Sequence, residues 1–181
     1  MNASRRRRQA GYTLVELIVA TAIGTIVLGA LTSIVLTTAI STNVATSRVD
    51  ASGQIRNFQL NAYDDMAFSN VPAPSGCGTQ ANPCTSQPMV LQGQRVPNQP
   101  SGAPAPYSVT YTWDPSQQTV TRQAGSAIRT VAENVTGYSW FIDSSGAQPA
   151  VVVSLTVTVR TYNAPYVDSQ SFRFVPRATA P

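Results

Sequence analysis

Gly11-Tyr12-Thr13-Leu14-Val15-Glu16, with the apolar run that follows it to Ile40, is the stretch whose reading decides the rest. From Leu17 to Ser47 no residue is charged, and that exceeds the roughly 20 apolar residues a bilayer-spanning helix needs. Arg5, Arg6, Arg7 and Arg8 stand just before it. A cluster of this kind on a short N-terminal side holds that side in the cytoplasm by the positive-inside bias. The expectation is a single membrane pass, with the N-terminus cytoplasmic and everything after the apolar run exported.

Glu16 does not fit a plain anchor. An ionised carboxylate inside an apolar helix costs a few kilocalories per mole or more unless it is paired or neutralised, and no Arg lies nearby on its C-terminal side. A cut between Gly11 and Tyr12 would create the missing cation, the α-amino group of Tyr12, one helical turn from Glu16. Two plainer readings compete. A secretory signal peptide has an apolar core of about 7 to 15 residues and a small-residue cleavage site, and this run is too long for it. An uncleaved anchor explains the Arg cluster and the length but gives Glu16 no role.

A basic leader, Gly11, the aromatic-Thr-Leu-Val-Glu sequence of Tyr12 to Glu16 and a long apolar helix together resemble the class III signal of type IV pilins and of the pseudopilins of type II secretion. The resemblance covers the first quarter of the chain. It implies that a membrane-embedded aspartyl peptidase of the bacterial inner membrane cuts after Gly11 and N-methylates Tyr12. It also implies that Glu16 neutralises the amino terminus of a neighbouring subunit as the chain leaves the membrane for a filament. A carboxylate paired with an amine inside an apolar bundle is tolerated where a lone one is not. The first mature residue of the family is usually Phe, and Tyr12 keeps the ring. Major pilins often carry a helix-distorting Pro in the anchor, whereas this segment offers Gly24 and Gly29. Those glycines either loosen the helix or allow close packing through small residues.

Composition narrows the chemistry. The formal charge of +4 arises in the leader, because the 12 basic residues are all Arg and the four of the leader equal the excess over the 8 acids. The mature part therefore carries no basic signature for nucleic acid. With no His and no Lys, the chain lacks the commonest general base, the commonest zinc ligand and every Schiff-base lysine. A polar surface written in Ser, Thr, Asn and Gln suits an exported protein, and no enzyme and no cofactor are expected. Cys77 and Cys84 enclose Gly-Thr-Gln-Ala-Asn-Pro. Outside the cytoplasm a disulfide is their expected state, contributing about 2.5 kcal/mol by loop closure at most. Two cysteines without histidine fall short of a closed zinc set, and a redox pair usually has the tighter C-x-x-C spacing.

The fold expected is α+β: a long N-terminal helix packed on an antiparallel β-sheet head. In order, the segments are a leader over 1–11, a membrane or filament-core helix over 12–40, the exposed half of the same helix over 41–68, a Pro/Gly/Ser-rich loop holding the disulfide over 69–106, a β head over 107–177 and a tail over 178–181. Ile55, Phe58, Ala62 and Met66 draw one apolar stripe at helical spacing, with Arg48, Asp50, Gln54 and Arg56 opposite. A helix from Thr13 to about Met66 would be on the order of 80 Å long. Within the loop, Met89 to Leu91 is the one strand candidate. Ser108–Trp113 and Thr119–Gln123 read as a hairpin about Asp114-Pro115-Ser116-Gln117. Ile128–Ala132 follows, then the aromatic strand Val135, Tyr138, Trp140, Ile142. Val151–Tyr162 alternates apolar and polar, and Ser169–Val175 returns with Phe172 and Phe174. This order is similar to J-type minor pseudopilins and W-type minor pilins, and the retained Glu16 sets the chain apart from K-type tip subunits.

Other activities find less support. Asp114, Asp143 and Asp168 sit in or beside turns, where Asp is favoured for its local hydrogen bonds, and no EF-hand spacing links them with Asp64 or Asp65 into a calcium site. Arg95, Arg122, Arg129, Arg160, Arg173 and Arg177 read as scattered surface residues, so nucleic acid is not an expected partner. Trp113, Tyr138, Trp140 and Phe141 read as core and cross-strand pairs before a glycan face. The expected function is a minor pilin or pseudopilin subunit. Its partners are other such subunits, the prepilin peptidase and methyltransferase, an inner-membrane assembly platform and lipid. The alternative is an anchored, adhesin-like binding module whose loop contacts a surface, a glycan or DNA.

Overall fold

In the computed structural model, which describes residues 12–95, 105–162 and 164–176, helix α1 runs unbroken over Leu14–Ala67, 54 residues. Seven strands follow: β1 Met89–Arg95, β2 Ala105–Asp114, β3 Thr119–Ala124, β4 Ala127–Ala132, β5 Val135–Asp143, β6 Ala150–Val159 and β7 Tyr166–Phe174. Arg5 to Arg8, Gly11, Arg177 and the tail over 178–181 lie outside the described residues. The long helix with antiparallel sheets is the α+β, pilin-like arrangement expected. The chain divides into two units, Met1–Thr42 and Asn43–Pro181.

In the described part of the first unit α1 is apolar on every side. Its large apolar side chains from Leu14 to Leu36 are all exposed, between 50% and 75% of their surface. Apart from Glu16 the polar side chains of this part of α1 are hydroxyls, and the helix itself satisfies several of them. Thr21, Thr25, Thr32, Thr37 and Thr38 donate back to carbonyls three or four residues earlier at 2.8–2.9 Å, which leaves those hydroxyls free of any need for water. The helix continues unbroken through Gly24 and Gly29, with open space where a Cβ would stand at each.

In the second unit α1 buries one face. Ser47, Ala51, Ile55, Phe58, Ala62, Asp65 and Met66 are buried, a spacing of three and four that puts them on one face. Phe58 lies at the middle of the core: its ring stands edge-on to Tyr111 at 5.7 Å and to Tyr138 at 6.2 Å, and tilted against Phe172 at 6.3 Å. From the strands, Met89, Leu91, Val109, Tyr111, Val120, Trp140, Val151, Val153, Leu155 and Val157 complete this core. Arg48, exposed beside the buried Ser47, stacks over the Tyr166 ring of β7 at 5.6 Å, so it flanks the packed face.

The strands of the antiparallel head form two sheets. One is ordered β1-β2-β3-β4 and the other β5-β6-β7, all antiparallel. The break falls at Glu133-Asn134, where Asn134 takes φ 58° and turns the chain out of the first ladder. Asn tolerates this left-handed conformation better than most residues. The Val135 N–H then donates to the Gln118 carbonyl at 2.8 Å and the Thr158 N–H to the Asn134 carbonyl at 2.9 Å, so backbone bonds tie one sheet to the other across the break.

Regular structure also begins earlier than the composition suggested. β1 extends to Arg95 and β2 starts at Ala105, inside the stretch read as irregular to Pro106. Pro106 pairs with Gln94 of β1 but lies beyond the last β3 partner, Val109 with Ala124, so its missing N–H leaves no β3 bond unmade. The chain leaving α1 covers the outer edge of β1: Asn70 N–H donates to the Gln92 carbonyl at 2.7 Å and Ser69 bridges Gly93. That crossing requires glycine, because a Cβ on Gly93 would stand 2.0 Å from the Phe68 carbonyl oxygen.

Two glycine substitutions should therefore act in opposite directions. Gly93→Ala forces the α1–β1 crossing apart and is expected to cost about 2–3 kcal/mol. Gly53→Ala, in open space on the helix, is expected to stabilise by about 0.5–1 kcal/mol. Denaturant unfolding of the whole chain in detergent micelles measures both.

Candidate functional site

The N-terminal segment is built by local capping. Tyr12 and Thr13 precede the helix. The Glu16 N–H donates to Thr13 Oγ1 at 3.3 Å and to the Thr13 carbonyl at 3.1 Å, and Leu17 N–H to that carbonyl at 3.2 Å. Thr13 is thus the N-cap and Glu16 the third helical residue, the spacing of a capping box. Sequence reasoning assigned Thr13 no role, although Thr-x-x-Glu before an apolar run is its signal. The Glu16 carboxylate sits in the first helical turn, where the helix dipole favours an anion. It makes no ion pair among the described residues. Tyr12 is 84% exposed. An exposed residue ahead of the cap, an acid one turn later and an uncovered apolar helix beyond together form a segment that can bind a cation at its start and lipid or other helices along its length.

Residues 6–32 match the family model described as the Prokaryotic N-terminal methylation motif. The methylation motif covers the end of the Arg cluster, Gly11, Tyr12, Glu16 and the first half of the apolar run. It supports a type IV pilin-like class, pilin or pseudopilin, and the processing and assembly with other pilins that such a signal implies. With it, the apolar helix fits anchoring in the inner membrane. One helix, α1, is long and apolar enough to cross a membrane among the described residues. No curated protein and no solved structure matches the chain.

Beyond the membrane-length part of α1 lies a buried ionic cluster that was not anticipated. Asp65, 2% exposed, receives Arg122 in a fork, Nε to Oδ2 at 2.6 Å and the terminal nitrogen to Oδ1 at 2.7 Å. The Tyr111 hydroxyl donates to Oδ2 at 2.5 Å and the Tyr107 hydroxyl to Oδ1. A buried carboxylate with four donors is fully satisfied. Burial alone would raise the Asp65 pKa, but the hydrogen bonds from Arg122, Tyr107 and Tyr111, with the Arg122 charge, outweigh it and hold the carboxyl below its ordinary range. Burial and the Asp65 carboxylate push Tyr107 up to about 12 and Tyr111 higher still. Arg122, read from the sequence as surface, is instead a half-buried tie between β3 and α1. The signal was present: Asp65 falls seven residues after Phe58 on the apolar stripe, and Arg122 shares the inward face of β3 with Val120.

The remaining acids serve turns and contacts. Asp114 Oδ1 accepts from the Ser116 hydroxyl and from the N–H groups of Ser116 and Gln117, and the Ser116 bond foremost lowers its pKa. Asp143 accepts from the Ser145 hydroxyl and N–H and from Arg173 Nε at 3.2 Å, and is lowered to about 2, chiefly by the Ser145 hydroxyl. Asp168 accepts from the Ser52 hydroxyl at 3.5 Å. No three His, Cys, Asp or Glu side chains gather as a metal site among the described residues. Of the aromatics, Tyr138 and Trp140 are buried in the core. Cys77 and Cys84 form the disulfide.

Asp65→Asn should destabilise the second unit by about 3 kcal/mol, because it leaves the Arg122 guanidinium partly buried without its counter-charge. Replacing every member of the cluster, as Asp65→Leu and Arg122→Met with Tyr107→Phe and Tyr111→Phe, should recover most of that loss, because no buried hydroxyl is then left without its acceptor. The pH dependence has two signs. Asp65 is depressed when folded, so its contribution is complete above the unfolded carboxylate pKa, near 4, and is lost as pH falls below it. Tyr107 is raised, so its contribution is complete below 10 and is lost as pH rises toward about 12. Thermal unfolding across both ranges, with Asp65→Asn removing the acid limb and only reducing the alkaline one, which rests first on burial, checks the assignment.

Proposed function

We propose that this chain is a minor pilin or minor pseudopilin, a non-enzymatic structural subunit that is cut after Gly11, N-methylated on Tyr12, and helps initiate or joins a type IV pilus or a type II secretion pseudopilus. The observation that carries this reading is the coincidence of the methylation motif at residues 6–32 with a helix left apolar and uncovered on all sides from Leu14 to Leu36. The uncovered surface takes lipid first and the helices of neighbouring subunits afterwards. The Glu16 carboxylate takes the Tyr12 amine of a neighbour, which offsets the cost of carrying both charges in an apolar bundle. Arg5 to Arg8 hold the leader in the cytoplasm during insertion, where the peptidase and methyltransferase and the assembly platform engage it.

The minor-subunit assignment draws support from the second unit. The order of a hairpin containing Tyr111-Thr112-Trp113-Asp114, then Ala132-Glu133-Asn134-Val135 before an aromatic strand, then a Val-rich β6 and a Phe-rich β7, resembles J-type pseudopilins and W-type minor pilins. A structural role is supported by the absence of His and Lys from the sequence and by the engagement of Asp65, Asp114 and Asp143 in ion pairs and turns.

Two substitutions separate this reading from an anchored binding module. Gly11→Val should leave the leader attached and the chain in the inner membrane, outside any filament. Glu16→Ala should be cut as the unaltered chain is, yet enter filaments on the order of tenfold less or worse, since it removes a charge pair worth more than 1.4 kcal/mol in the assembled state. Immunoblots of sheared filaments and membrane fractions measure both. An uncut Gly11→Val chain that supports full activity in its host would favour the anchored module.

A further inference from the structure

The Cys77–Cys84 ring does more than close a local loop, because its backbone lies along a sheet edge. β5 pairs with β6 on one side. On the other side Cys84 N–H donates to the Trp140 carbonyl at 2.8 Å, Trp140 N–H donates to the Cys84 carbonyl at 3.0 Å, and Ile142 N–H donates to the Gly78 carbonyl at 2.9 Å. Cys84 thus forms a one-residue bridge to β5, and Gly78, one residue after Cys77, makes the next bond along.

The disulfide, a few hydrogen bonds and the buried Cys84 side chain fix the course of this segment. It lies between α1 and β1 in a stretch without regular structure, and it turns through Gly76 and Gly78 at φ 77° and 101°. Asn82 accepts at its carbonyl from Gly78 N–H at 2.9 Å and donates from its side chain to the Gly76 carbonyl at 2.9 Å, which closes the ring internally. Just outside the ring, the Trp140 indole donates to the Gln87 carbonyl at 3.1 Å. The Gln87 side-chain oxygen lies 2.8 Å from Cys77 Sγ. A disulfide sulfur has no proton to donate, but a Cys77 thiol would have one, with its acceptor in place.

We propose that the Cys77–Cys84 ring is a redox-dependent strap over the outer edge of β5: oxidised, it pairs the backbone of Trp140 and Ile142, and reduced, it releases them. Closing forms the Sγ–Sγ bond as the two thiols lose their protons and pass two electrons to a disulfide oxidant, which leaves as a dithiol. Opening reverses this with a dithiol reductant. An uncovered edge strand is a template for pairing with another chain, so the bond decides whether the second unit presents such an edge at β5. This inference rests on the strand topology and stands whether or not the chain assembles into a filament.

Residue-resolved hydrogen exchange on the whole chain in detergent micelles, before and after dithiothreitol and again after reoxidation, tests it. The expected result is a rise on the order of 10- to 100-fold in exchange at the Trp140 and Ile142 amides on reduction. The alternate amides of β5, which point toward β6, and those of β6 itself should stay protected, and reoxidation should restore the original rates. A Cys77→Ser, Cys84→Ser double variant should match the reduced chain. Unchanged protection at Trp140 and Ile142 after reduction would overturn the strap. So would loss of protection throughout β5, β6 and β7 together, since the bond would then hold the whole fold and not one edge.

Discussion

A helix that is apolar around its full circumference cannot stay in water, and the surroundings of α1 follow from that constraint. From Leu14 to Leu36 nothing in the described chain covers it, so what covers it must come from outside, as lipid or as other helices. From Ser47 onward the chain supplies the cover itself. The change of partner along one unbroken helix is written in the residues. The earlier part has large apolar side chains on every face and buries none of them, whereas the later part buries the stripe that carries Ile55, Phe58, Ala62 and Met66 and leaves Val49, Leu60 and Tyr63 exposed. Phe58 meets aromatic rings of both sheets, which makes α1 the element the two ladders share.

Two acids on this helix illustrate how the chain treats charge in apolar surroundings. Asp65 is buried and finds its cation within the fold, with two tyrosine hydroxyls completing its hydrogen bonds. A buried ion pair of this kind adds little net stability relative to apolar replacements, but breaking half of it is costly, so it fixes where β3 meets α1. Glu16 is exposed at the opposite terminus and has no ion pair among the described residues. Its position as the third residue of the helix, behind the Thr13 cap, accounts for its tolerance in water. Inside an apolar layer that account fails, and a cation from elsewhere becomes necessary.

Much of this was legible because periodicity survives without tertiary knowledge. The helix and its buried stripe, the hairpin about Asp114, and the alternation of β6 all follow from spacings of 3.6 and 2. The split into two sheets was not legible, since it depends on a single left-handed residue, Asn134, and on bonds to Gln118 and Thr158 that are distant in sequence. The extension of β1 to Arg95 was hidden by composition, because a proline-rich neighbourhood argues against strands unless the pairing partner is known. Asp65 and Arg122 were each visible as charges on an inward face, but only their meeting in space turns two anomalies into one explanation. At the N-terminus the motif was readable from residue types and spacing alone, because its chemistry is local.

The central claim is that a new amine at Tyr12 supplies the counter-charge that Glu16 lacks. Its most direct test is mass spectrometry of the N-terminal peptide of the chain recovered from its native host. The account predicts a peptide that begins at Tyr12, one methyl group heavier than the unmodified sequence, with Arg5 to Arg8 and Gly11 gone. A functional chain that still carries Arg5 to Arg8 ahead of Tyr12 would contradict it.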